Sequence, residues 1–251
     1  MFFLQRKLVP IAATTLFTAL SGLTATAQVV VQRSGIQTTR RIDDNTVIID
    51  KATQKRVSFN DYQRRVQADP DGQHLEPVFD EYGKASAYLI RPTTAEERAT
   101  HQFRDVDTTQ RPRPGDDMPL FIMKDVNGKT YRSTELKGNV VVLSFWVSLK
   151  RPFFGEKQIQ QLNDVLKLYQ NSVPLLSLGV LSDSPDEVRD FSTTRTFPFM
   201  PIPDAYGFNR KFQVLSSPSF IVIDKAGKVA AYVDGADYEQ LKAVLATVNM
   251  P

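Results

Sequence analysis

"VVVLSFWVSLKRPFFGEKQIQQL", residues 140–162, decides how the chain folds. Val140 to Trp146 is a nearly unbroken apolar run of strand length, as expected for a strand buried on both faces in the middle of a sheet. The run stops at Lys150-Arg151-Pro152. Beyond it, Ile159, Leu162, Val165, Leu166 and Tyr169 recur at helical spacing.

Working outward toward the C-terminus, "VPLLSLGVL" at 173–181 reads as a second buried strand. Ser184-Pro185-Asp186-Glu187 then supplies a serine N-cap, proline at the first helical position and glutamate at the third, a strong helix start. "SFIVID" at 219–224 reads as a third strand, and "VAAYVDG" as its hairpin partner across Lys225–Lys228. Leu241, Val244, Leu245 and Val248 form one face of a closing helix. Toward the N-terminus, Asn127-Gly128 between β-prone flanks marks a hairpin. Strand–helix–strand–helix followed by an antiparallel hairpin and a helix predicts an α/β domain, a mixed sheet with helices on both faces.

Residues 28–110 read as a separate small α+β extension. Thr46–Asp50 and Arg56–Phe59 predict a hairpin. Asn60, with Gln63 three residues on, predicts a helix cap. "DPDG" at 69–72 is a turn, and "KASAYLI" at 84–90 a strand. Thr94 and Glu97 form a capping box for a helix reaching about Phe103, and "DVDTTQRPRPGDD" at 105–117 reads as a linker ahead of a domain at 111–251.

Residues 1–27 read as a secretory signal: Arg6 and Lys7, the apolar stretch Leu8–Leu20, then Ala25-Thr26-Ala27. An uncleaved N-terminal anchor is the other reading. A cysteine-borne lipid anchor is excluded, because the 251 residues contain no cysteine. Export to the periplasm or cell envelope is the expectation, with no stable membrane insertion after cleavage. Without residues 1–27 the chain keeps 29 basic and 28 acidic residues, so its charge gives no reason to expect nucleic acid as a partner. The two histidines, His74 and His101, stand in no ligand-spaced motif, and no metal is expected. No phosphate-binding glycine loop or Gly-x-Ser-x-Gly elbow occurs, and no cofactor is expected. The carboxylates of "DDM" at 116–118 and "DGADYE" at 234–239 read as caps and surface groups.

In order along the chain, "RPGDDMPLFIMKDVNGKTYRSTELKGNVVVLSFWVS", "SDSPDEVRDF" and "FPFMPIPDAYGFNRKFQVLSSPSFIVIDKAGKVAAYVDG" carry a resemblance. Residues 114–235 resemble the thioredoxin-like redoxins, both the AhpC/TSA type and the exported TlpA/ResA-type thiol-disulfide oxidoreductases. The resemblance implies a thioredoxin-like fold. It places Phe145-Trp146 just before the active site and Ser217-Pro218 at the cis-proline. It also places Lys150-Arg151-Pro152-Phe153 where the family has Cys-x-x-Cys at a helix start, with Glu156 at an acidic position found in some members.

Thiol-disulfide exchange needs an attacking thiolate and a second sulfur, and a peroxiredoxin needs one low-pKa cysteine. This chain has neither, so the family's redox step is chemically impossible for it alone.

Several uses of the vacated site remain open from sequence. Lys150 and Arg151 could sit on the helix end as an anion-accepting surface, or be two solvated side chains, with Glu156 partly neutralising either. Phe153 could fill the space of the second cysteine. Alternatively Phe153, Phe154, Trp146 and the Pro218 loop could expose an apolar patch that grips a protein or an extended peptide. The binding candidates are therefore Trp146, Lys150, Arg151, Phe154, Glu156, Ser217 and Pro218. Other readings are a partner that supplies the thiols, a structural component of the envelope, and a non-redox enzyme using Lys150 as a buried nucleophile.

Overall fold

The computed structural model describes residues 28–33, 36–103, 106–171 and 174–248, so the signal reading at 1–27 lies outside the described residues. Two units are distinguished, Met1–Asp43 and Asp44–Pro251. In the first, β1 (Gln28–Arg33) pairs antiparallel with β2 (Ile36–Arg41), a hairpin the sequence reading did not place.

The second unit begins with β3 (Ile48–Asp50), β4 (Arg56–Val57), α1 (Phe59–Ala68), β5 (Gln73–Phe79), β6 (Ala85–Pro92) and α2 (Ala95–Thr100). The sheet order is β4-β3-β6-β5, and β3 runs parallel to β6. The expected β3–β4 hairpin and the Thr94–Glu97 capping box are both present. The cap of α1 is corrected: Ser58, not Asn60, accepts the Asp61 N–H, at 3.1 Å. Ser58 has the extended backbone a cap needs, so the helix starts at Phe59.

The expected linker is strapped down. Beyond a 3-10 turn at Thr108–Gln110, the Arg111 guanidinium donates to both Asp234 carboxylate oxygens at 2.7 and 2.8 Å. It also donates to the Gln213 carbonyl at 2.9 and 2.7 Å, and lies 4.8 Å over the Tyr232 ring.

A small hairpin follows, β7 (Ile122–Lys124) and β8 (Thr130–Arg132), and then β9 (Val140–Phe145), α3 (Glu156–Lys167) and β10 (Leu175–Val180). The chain ends with α4 (Pro185–Thr194), β11 (Met200–Ile202), α5 (Gly207–Lys211), β12 (Ser219–Ile223), β13 (Val229–Val233) and α6 (Tyr238–Val248). The five-stranded sheet has the order β11-β10-β9-β12-β13. Strands β9, β10 and β11 are parallel, and β12 is antiparallel to both β9 and β13. Every residue of β9 is buried, as its apolar run demands.

Alternate β9 side chains feed two cores. Val141, Leu143 and Phe145 pack with Phe121, Phe208 and Phe212 on one face. Val140 and Val142 pack with Leu162, Leu166 and Leu241 on the other. Burying each such side chain is worth about 1.5–3 kcal/mol. This parallel–antiparallel order with helices on both faces is a thioredoxin-like fold.

Asp-x-x-Gly-Lys recurs at 80–84, 125–129 and 224–228, a short internal repeat that the sequence reading missed. Each copy closes a hairpin the same way. The aspartate Oδ1 accepts two backbone N–H groups at 2.8–2.9 Å, and the glycine takes a positive φ.

The 80–84 turn also ties the β4-β3-β6-β5 sheet to α5. A Cβ on Gly207, at the start of α5, would fall 1.8 Å from the Gly83 carbonyl oxygen, so only glycine allows this approach. The Ile122 N–H donates to the Glu81 carbonyl at 2.7 Å beside it.

Candidate functional site

The loops that follow β9 and precede β12 meet at the C-terminal end of β9. Ser217 Oγ donates to the Phe145 carbonyl at 3.1 Å and accepts the Val147 N–H at 3.0 Å. Ser217–Pro218 is cis, as expected, and so is Arg151–Pro152. Pro218 is buried, whereas Leu215, Ser216 and Ser217 are exposed.

The Lys150–Phe153 segment departs from the expected geometry. It is a turn in which the Lys150 carbonyl accepts the Phe153 and Phe154 N–H groups at 3.0 and 3.2 Å. Gly155 is extended (φ −113°, ψ 133°), and α3 begins only at Glu156. Lys150 and Arg151 therefore sit upstream of the helix and not in its first turn.

The enzyme reading of Lys150 is also overturned. Its side chain is 55% exposed, and Nζ lies 2.5 Å from Glu187 Oε1. That hydrogen bond raises the lysine pKa, whereas a nucleophilic amine needs it lowered. The same contact, with backbone and hydroxyl donors of Ser184, holds Glu187 down at about 2. Glu156 lies 4.0 Å from Arg151, and both side chains are largely in solvent.

The two phenylalanines exchange their expected places. Phe153 is 50% exposed and does not fill a cysteine-sized space, and Phe154 is buried. Trp146 is completely buried too, donating its Nε1–H to Ser144 Oγ at 3.0 Å. An exposed patch containing Trp146 and Phe154 is thereby excluded. Both instead belong to an aromatic layer beneath the loop. Trp146 is 5.4 Å from Phe154 and 5.8 Å from Phe199, and Phe197 stacks on Phe199 at 5.5 Å.

Sequence reasoning missed Asp183, which is buried and fixes the turn from below. Its Oδ1 accepts the Ser148 hydroxyl at 2.6 Å, and its Oδ2 accepts the Leu149 N–H at 2.7 Å. The only signal was its place directly before the Ser184–Glu187 cap. Leu215 was missed as well. It is 59% exposed, two residues before Ser217.

Among the described residues, no group of three or more His, Cys, Asp or Glu side chains could hold a metal, and no helix is long and apolar enough to cross a membrane. Chemically, the two loops offer an exposed aromatic ring, an exposed leucine, ion pairs and hydroxyl groups.

Residues 114–232 match the model of the AhpC/TSA family. Thioredoxin-like protein YneN of Bacillus subtilis is 25% identical over 117 residues, covering 46% of this chain and 68% of that protein. Thiol-disulfide oxidoreductase ResA of Geobacillus thermodenitrificans is 28% identical over 130 residues, covering 48% of this chain and 69% of that one. Among solved structures, the exposed lipoprotein thioredoxin Etrx1 of Streptococcus pneumoniae aligns with a TM-score of 0.42 at 22% identity, over 51% of this chain and 98% of that chain.

Proposed function

From the premise that residues 114–232 are a domain of the AhpC/TSA family, we propose that the protein is an exported, redox-inactive member that binds an extended peptide or protein segment at the former active-site face. The observation that carries this reading is the pair of exposed apolar side chains, Phe153 at 50% and Leu215 at 59%, on the two loops that meet through Ser217. Two exposed apolar side chains on adjoining loops offer a surface for a partner to cover, and Phe153, half in solvent, adds little to the core. The buried aromatic layer and Asp183 hold that turn rigid, which lowers the ordering cost of binding. Lys150, Arg151, Glu156 and Ser217 supply a polar rim, and Pro218 shapes the loop from within. Export rests on the signal-like character of residues 1–27.

A displayed random-peptide library panned against wild type and Phe153→Ala/Leu215→Ser tests the reading. Wild type should enrich a family of sequences that the double variant fails to retain, with both proteins unfolding at the same urea midpoint. Equal enrichment on both, or none on wild type, would sink it.

A further inference from the structure

A second recess, which shares no residue with the former active-site face, lies where the extension meets the domain. It has a volume of about 620 Å³, within the range of sites that hold small organic ligands. Its apolar wall includes Phe79 and Leu89, and its cations are Lys51, Arg91, Arg210 and Lys211.

The acids of this recess are already engaged. Glu76 accepts from Lys51 Nζ at 2.6 Å and from Arg91 Nε at 2.5 Å, and Arg91 also makes a two-pronged pair with Glu97 outside the recess. The Asp107 carboxylate turns back onto its own chain, accepting from Thr109 N–H, the Thr109 hydroxyl and Gln110 Nε2 at 2.6–3.0 Å.

Lys211 is different. Among the described residues its Nζ has a single hydrogen bond, 3.4 Å to the Phe79 carbonyl, and no carboxylate within ion-pair distance. Burial lowers its pKa, against the opposing pull of Asp80 and Glu81. An ammonium group has three donors, and among the described residues only one of them finds a protein acceptor. The site therefore presents an under-coordinated cation beside an apolar wall.

We propose that this recess binds a small amphiphilic organic anion, its carboxylate on Lys211 and its apolar body along Phe79 and Leu89. Positive charge and an apolar wall at this volume complement such a molecule better than a metal ion, a neutral lipid or a sugar.

Titration of the full chain with octanoate and with octan-1-ol, followed by amide chemical shifts, tests the inference. Octanoate should shift the amides of Phe79, Leu89 and Gln213 saturably, and octan-1-ol should bind about tenfold more weakly or worse. Lys211→Met should weaken octanoate by about tenfold, Lys211→Arg should restore most of the affinity, and Lys225→Met, at an exposed turn, should leave it unchanged. If octanol matches octanoate, if the shifts fall elsewhere, or if Lys211→Met binds as wild type does, the assignment fails. Should Lys211→Met not fold, the octanoate–octanol contrast on the wild type decides alone.

Discussion

Asp183 Oδ2 accepts the Leu149 N–H at 2.7 Å, while its Oδ1 takes the Ser148 hydroxyl. One buried carboxylate thus accepts two donors at the start of this turn. Asp183→Ala leaves a buried N–H without an acceptor, so it should cost about 1–3 kcal/mol in urea unfolding. Asp183→Asn keeps one acceptor oxygen and should cost less. Equal stability of wild type and Asp183→Ala would show that water replaces the carboxylate freely.

Phe153 and Phe154 are neighbours with opposite duties. Phe154→Ala empties part of the aromatic layer and should destabilise by about 3 kcal/mol. Phe153→Ala should stay within about 0.5 kcal/mol of wild type, since half its surface is in solvent. Thermal or urea unfolding of the two variants checks the contrast, and the reverse ranking would mean the turn is threaded differently.

Gly207→Ala drives a methyl group into the Gly83 carbonyl and should cost about 1–3 kcal/mol, as overpacking does. The variant should also free the extension, seen as faster hydrogen exchange in the 80–84 turn. Unchanged exchange there would contradict the clamp.

Acid should weaken the extension through Glu97. The Arg91 guanidinium, with the Thr94 N–H, holds its carboxyl at about 2, against an ordinary 4.5. The unfolded chain therefore takes up this proton first as pH falls. The stability the pair contributes is complete above about pH 4.5 and drains away toward about pH 2. Glu97→Gln should flatten the fall in unfolding free energy across that window. Parallel wild-type and variant curves would show that other carboxylates dominate.

Purified protein should reduce insulin and consume peroxide no faster than blanks, because no thiolate exists to begin either reaction. Turnover above blank, free of contaminating enzyme, would require chemistry that uses no thiol.

Where local sequence dictates structure, the structure follows it. The apolar run of β9, the Ser184–Glu187 capping box and the closing helix all lie where short-range chemistry puts them, and the cis bond at Pro218 lies where the resemblance put it. β5 escaped notice because Pro77 sits within it. A missing N–H is harmless there, since β5 is an edge strand paired only to β6. Ser58 was absorbed into the strand run that precedes it, so Asn60 took its place as the expected cap. The site was least legible. Adjacent phenylalanines give no periodicity to tell the buried one from the exposed one. Lys150 finds Glu187 37 positions away, and Leu149 finds Asp183 34 positions away, across a helix and a strand. Such partners appear only once the sheet has assembled.

A polypeptide lacking sulfhydryl groups is blind to the electron balance of its surroundings. Ambient oxidants can alter its covalent state at little beyond its five methionines, two of which, Met118 and Met123, are shielded in the core. Its covalent state therefore stays put through redox swings that would convert a paired-cysteine protein between disulfide and dithiol.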